Sequence, residues 1–341
     1  MTAFLQLASL LAIILLTAKA AGYLSTRLGQ PSVLGELLVG LILGPSLINL
    51  THLGFVTNEH IGETIAELAE IGVLLLMFIA GIELHLSELA RNTRVSAFAG
   101  ILGVVVPVGL GFLAGELNGL PLESSVFLGL TLGATSVSIS AQTLMEMKVL
   151  RSRVGLGLLG SAVFDDILVI LLLSAFLAVL EGGAGAAIVL VIIQMVVFLG
   201  GSVVFGLYVL PFLARKVSRL PISQGMLSFA IVIMLVYGIA AELIGGMAAI
   251  TGTFLAGLMF ARTPEKSLLE SGLRSIAYSF FVPIFFVNIG LSVNLRQLDP
   301  SIFWFVLIIS VLAILGKILG SGAGARIGGF SWRESLQLGI G

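Results

Sequence analysis

The stretch "SAVFDDILVI", Ser161 to Ile170, sets two adjacent carboxylates, Asp165 and Asp166, in an apolar run that continues as "LLLSAFLAVL" to Leu180. Composition names the solvent around them. With 58% hydrophobic and 10% charged residues and a mean hydropathy of +1.17, the chain reads as an all-α polytopic membrane protein and not as a soluble domain. The two acids therefore lie in a bilayer. A net charge of -1 leaves no basic stripe for nucleic acid, and the absence of cysteine removes disulfides and thiolate metal sites. His52, His60 and His85 fall outside the apolar runs and read as solvated loop residues.

A bilayer core takes about 20 apolar residues per helix. Eleven such runs lie between charged breaks, centred near Ala12, Val39, Leu75, Val105, Ala134, Asp166, Val197, Met234, Phe254, Phe285 and Ser310, and a twelfth begins at "ESLQLGIG", Glu334 to Gly341. The first run starts at Met1 with no basic leader and no small-residue cleavage site, so it reads as a retained helix. Alternate connections carry Arg27; Arg91 and Arg94; Lys148, Arg151 and Arg153; Arg215, Lys216 and Arg219; Arg262, Lys266 and Arg274; Arg326 and Arg333. The other connections carry Arg296 alone. Lysine and arginine resist translocation, so this partition predicts an outside N-terminus with the basic connections in the cytoplasm. Lys19, near the cytoplasmic end of its run, reads as a snorkelling side chain. Lys317 lies deeper, in "VLAILGKILGSGAG", Val311 to Gly324.

The chain also resembles itself. "GELLVGLIL" (Gly35 to Leu43) matches "GTFLAGLMF" (Gly252 to Phe260), and "GIELHLSEL" (Gly81 to Leu89) matches "GLSVNLRQL" (Gly290 to Leu298) in the same order. The second and ninth runs are seven crossings apart, an odd number, so the copies run in opposite directions. Inverted repeats of this kind build two access states around one midplane site. They predict a single transmembrane domain over residues 1–341, with repeat one at about 31–180 and an incomplete repeat two at about 246–341.

Asp165 follows Arg153 by twelve residues, which at about 1.5 Å per residue is roughly 18 Å, or mid-bilayer. Ionisable groups at that depth mark a pathway or relay. Neighbours on a helix point about 100° apart, so the two acids need different partners. The fifth run, "LGATSVSISAQTL" (Leu132 to Leu144), crowds Thr135, Ser136, Ser138 and Ser140 beside Gly133. Such a centre can unwind and offer carbonyls and hydroxyls to a cation; the same small residues would also serve close helix packing. Glu36 and Glu83 read as interfacial anchors or packing residues, with ion-funnel roles as the alternative, and the mid-helix amide of Asn288 asks for a hydrogen-bond partner.

"SAVFDDILVILLL", preceded by "GATSVSISAQ", with "QPSVLGELLVGLILGP" early and "ILGKILGSGAGARIGG" late, resembles the monovalent cation:proton antiporters, in the branch of bacterial sodium/proton antiporters and Kef-type potassium/proton systems. The resemblance implies a thirteen-helix homodimer. Each copy has a core domain with two crossed, interrupted helices and a dimerisation domain against which the core moves. It implies that Asp166 carries the monovalent metal cation or the proton, that Asp165 pairs with Lys317, and that Thr135 and Ser136 mark the break of the first crossed helix. The second crossed helix and a final helix would follow "QLGIG", so the chain ends within the second repeat. The implied function is sodium/proton antiport, electrogenic because of Lys317, by competition of cation and proton at Asp166. Sodium or potassium, protons and membrane lipid are the partners, without a cofactor or enzymatic chemistry.

Two alternatives within transport stay open, a Kef-type potassium/proton antiporter and a cation channel, although no filter-like stretch is visible. An intramembrane aspartyl protease fits poorly. It needs two carboxylates converging on one water, whereas Asp165 and Asp166 diverge and Asp299 sits at an outer helix end.

Overall fold

A computed structural model describes residues 1–84, 92–180, 184–297, 299 and 302–341, with the backbone alone at 178 and 184–187. His85, Arg91 and the 85–89 part of the internal match lie outside the described residues. The described residues form fifteen α-helices: α1 Ala3–Arg27, α2 Ser32–Leu43, α3 Ile61–Glu83, α4 Thr93–Leu117, α5 Leu122–Gly133, α6 Val137–Glu146, α7 Arg153–Leu180, α8 Ala184–Val204, α9 Leu210–Val217, α10 Gly225–Leu243, α11 Ala249–Phe260, α12 Lys266–Ile276, α13 Val282–Leu291, α14 Phe303–Gly328 and α15 Trp332–Ile340. Among the described residues, nine helical segments are long and apolar enough to cross a membrane.

Ten of the eleven run centres fall within helices. Ala134 alone falls between two, because the fifth run breaks there: α5 stops at Gly133, Ala134 and Ser136 are extended with ψ of 134° and 106°, and α6 resumes at Val137. The second and ninth runs are not full crossings. They form α2 and α11, of 12 residues each, which reach only about 18 Å. Punctuation explains their length. Gly29, at φ +75°, and Pro31 precede α2, and Gly44–Pro45 ends it; Gly246, at φ +59°, precedes α11.

Two π-helical turns, Phe205–Val209 and Ala277–Phe281, each lead into a helix with proline in its first turn, Pro211 in α9 and Pro283 in α13. Proline offers no N–H and its ring crowds the carbonyl four residues back. Leu207 and Ser279 are those residues, and the backbone widens around them without ending the crossing.

Lipid tails are as apolar as leucine, so burial supplies little drive to associate helices, and close backbone approach must do it. Here glycines permit that approach twice over. A Cβ on Gly40 would lie 2.2 Å from the Val287 carbonyl oxygen, and one on Gly290 would lie 2.6 Å from that of Leu37, which locks α2 against α13. A Cβ on Gly257 would lie 2.1 Å from the Phe78 oxygen, and one on Gly81 would lie 2.2 Å from that of Phe254, which locks α11 against α3. By the sequence match, Gly257 is the counterpart of Gly40 and Gly290 that of Gly81. One crossing is thus made twice, each short helix resting on the segment that carries the second matched stretch of the other copy.

Around these crossings α1, α2, α3 and α10 to α13 pack as one group, with Phe78, Phe254, Phe260 and Phe286 fully buried in it. A second group comprises α4, α5, α7, α14 and α15, with α4 at its centre. This second group carries Asp165, Asp166, the fifth-run break and Lys317. Gly257→Ala should cost about 1–3 kcal/mol of stability, because its methyl has no space beside Phe78. Gly54→Ala, with nothing within 4 Å of the added carbon, should stay within about 0.5 kcal/mol of wild type. Thermal unfolding of the purified protein in detergent compares the two.

Candidate functional site

Both acids lie in the fourth turn of α7, and the helix sends them to different neighbours. Asp165 Oδ2 accepts a hydrogen bond of 2.7 Å from Lys317 Nζ on α14. Asp166 Oδ2 accepts one of 3.0 Å from the Thr251 hydroxyl on α11. The divergence required by the 100° step between adjacent residues is therefore realised in two separate contacts.

Lys317 reaches Asp165 because α14 packs closely on α4 through small residues. A Cβ on Gly320 would lie 2.2 Å from the Leu102 oxygen, and one on Gly324 would lie 2.1 Å from the Phe98 oxygen. Gly100 and Gly103 of α4 in turn leave room for the Asp165 carboxylate, whose Oδ1 is 3.2 Å and 3.7 Å from where their Cβ atoms would be. Asp165 is 6% exposed, and the ammonium compensates its charge.

The expected site residues do not gather round one point. Thr135 and Ser136 line a cavity of about 370 Å³ with Asp165, Lys317, Ser140 and Ser321. Asp166 lines a different space of about 10 Å³, together with Met77, Val137, Leu159, Val163, Ile250, Thr251 and Phe254. Val137, the first residue of α6, borders both. The extended Ala134–Ser136 segment thus faces the Asp165–Lys317 side.

Thr251 was not singled out from the sequence, although its signal was available. "ITGT", Ile250 to Thr253, sets hydroxyls beside a glycine in an apolar run, the pattern read as informative in the fifth run. What it lacked was any indication that the ninth run faces the sixth.

A second polar network surrounds a cavity of about 770 Å³ lined in part by Lys19, Ser32, Glu36, Gln142, Glu146 and Tyr278. The N-cap of α2 is Pro31, which has no capping side chain. Glu146, from the end of α6, takes that role: one of its oxygens accepts from the Ser32 N–H at 2.6 Å and the other from the Ser32 hydroxyl. A carboxylate there also meets the positive end of the α2 dipole. Gln142 Nε2 donates to Glu146 at 2.7 Å, and the Tyr278 hydroxyl donates to Gln142 at 2.8 Å.

Lys19 stays exposed, as a snorkelling side chain would, and also finds partners: its ammonium donates to the Tyr278 carbonyl at 2.9 Å and lies 3.8 Å from Glu36, because α1 packs against both α2 and α13. Glu36 is correspondingly 5% exposed, inside the protein and not at its rim. Glu83 does anchor: its carboxylate pairs with Arg274, and its carbonyl accepts from Arg151 at 2.8 Å. Asn288 is half-buried; its carbonyl accepts from the Ser292 hydroxyl, and its side chain makes no hydrogen bond among the described residues.

Removing one partner of a buried ion pair leaves the other uncompensated, at a cost on the order of 3–5 kcal/mol. Lys317→Ala should therefore lower the melting temperature more than the double variant Asp165→Asn, Lys317→Gln, which removes both charges. Equal melting of wild type and Lys317→Ala in differential scanning fluorimetry would show that the pair contributes nothing.

Against known proteins, residues 12–341 match the family model described as sodium/hydrogen exchanger, transmembrane. The Na(+)/H(+)-K(+) antiporter GerN of Bacillus cereus is 40% identical over 331 residues, covering 97% of this chain and 83% of that protein. The Na(+)/H(+) antiporter of Enterococcus hirae is 34% identical over 339 residues, covering 99% of this chain and 86% of that protein. The sodium proton antiporter MjNhaP1 from Methanocaldococcus jannaschii shares the fold, with a TM-score of 0.69 at 18% identity over 98% of this chain and 82% of its own. An integral membrane protein that matches the family over nearly its whole length belongs to the transmembrane sodium/hydrogen exchangers.

Proposed function

We propose that this protein exchanges sodium ions for protons across the membrane, with Asp166 as the group that carries either one. The observation that carries the reading is the unequal fate of two adjacent acids. Lys317 compensates Asp165, whereas Asp166 meets only a neutral hydroxyl and has its charge left to be balanced by whatever it carries. Cation and proton are alternative ways of neutralising that one carboxylate, so occupancy by one excludes the other and coupling follows. Relatives named as sodium/proton antiporters support sodium as the cation.

The roles follow from position. Asp165 and Lys317 form the fixed pair beside the carrier and are the basis for electrogenic exchange. Thr135 and Ser136 lie at the break, where helix ends release carbonyl groups that can join hydroxyls around a cation. Relatives named as antiporters support a carrier over a channel, which needs a continuous path. The ions themselves suffice, with no cofactor. The paired glycine crossings support two repeats, at about 31–180 and 246–341. We further propose a homodimer in a bacterial inner membrane, with the N-terminus outside.

In proteoliposomes, wild type should move protons when driven by a sodium gradient. Asp166→Asn keeps the size but cannot titrate, so exchange should stop in protein that remains folded, while Asp166→Glu retains slow exchange. Sodium-driven exchange by Asp166→Asn at the wild-type rate removes the carrier role from this residue. A wild type driven by potassium but not by sodium replaces the ion.

The chain contains no cysteine, which makes orientation simple to test. A cysteine introduced by Asn58→Cys should react with an impermeant maleimide added to intact cells, and one from Ser218→Cys should not. The reverse pattern inverts the topology.

A further inference from the structure

Thr251 is the third residue of α11, in the group built on α3 and α13, while Asp166 belongs to α7 in the group built on α4. Their 3.0 Å hydrogen bond therefore joins the two groups. The rest of the lining is hydrocarbon, from Met77, Val137, Leu159, Val163, Ile250 and Phe254. A hard cation gathers about six oxygen ligands. At this point the side chains supply one carboxylate and one hydroxyl, beside about 10 Å³ of free space, about enough for one water. Side chains alone therefore do not complete a shell of that size where Asp166 now stands.

We infer that Thr251 is a positioning residue that holds Asp166 in its cation-free form, its hydroxyl occupying one of the two carboxylate oxygens for which a cation competes. The inference rests on the assignment of Asp166 as the carrier. Loading sodium requires the contact to break, so the bond competes with the ion. When only the undocked fraction binds, apparent affinity falls by that fraction. A single net hydrogen bond shifts such a population by a factor of about 3 to 10. Were Thr251 instead a ligand of the bound cation, losing its hydroxyl would weaken binding, and the two cases differ in sign.

The test uses the full chain, with sodium affinity read in two ways: from sodium-dependent thermal stabilisation in detergent, and from the half-saturating sodium concentration for exchange in proteoliposomes. Thr251→Val, equal in shape but without the hydroxyl, should bind sodium on the order of 5-fold more tightly by both measures. Thr251→Ser should return both to wild type, which general loosening of the fold would not do. If Thr251→Val is not recovered folded, Thr251→Ala carries the same expectation. Weaker sodium binding by the variant makes Thr251 a cation ligand and overturns the inference. Unchanged affinity, including no stabilisation by sodium in either protein, overturns it as well. A wild type that binds sodium without exchanging it defeats the proposed function alone, and the binding measurement still decides the role of Thr251.

Discussion

Two carboxylates on one membrane-embedded helix must be satisfied where water is scarce, and the arrangement around α7 follows from how each is met. Asp165 receives an ammonium from α14, which obliges α14 to approach α4 closely enough for Lys317 to reach across at 2.7 Å. That approach is possible because Gly320 and Gly324 face the backbone carbonyls of Leu102 and Phe98 without side chains between them. Asp166 turns away by the helical step and finds a hydroxyl. The pair is costly to bury and costlier to half-remove, so it ties the placement of two helices to the chemistry of one site.

Backbone proximity is the common device in both packed groups. Where soluble proteins use large interlocking side chains, this chain repeatedly places glycine against a carbonyl, in contacts that recur at equivalent positions of its two copies. Gly40 on Val287 and Gly257 on Phe78 are the same contact made twice. Such surfaces tolerate no added carbon, and each copy supplies half of the other's crossing.

Polar contacts also meet the N-terminal turns of equivalent helices. Glu146 caps α2 from the end of α6, and Asp166 accepts from Thr251 in the first turn of α11. Each contact sends a carboxylate to a helix start, where the dipole and free N–H groups favour negative charge. Of the two, the Asp166–Thr251 bond joins the packed groups, so relative movement of the groups would break it.

Much of the plan was legible in the residues. Apolar runs report the solvent, ten of eleven run centres fall inside helices, and the eleventh falls at a break that hydroxyls beside Gly133 made readable. The family motif named the Asp165–Lys317 pair, 152 positions apart. Local chemistry carries such signals because burial, helix breaking and charge are properties of a segment in its solvent. What only tertiary structure decided is who faces whom. That Val137 borders both the space of Asp166 and that of Thr135 and Ser136, that Thr251 is the partner of Asp166, and that Lys19 meets Tyr278 and Glu36 all depend on the rotation and approach of helices distant in sequence. Helix periodicity states that a side chain has a face but not which helix that face meets, and in a chain apolar on nearly every side, hydrophobic pattern cannot choose among the neighbours.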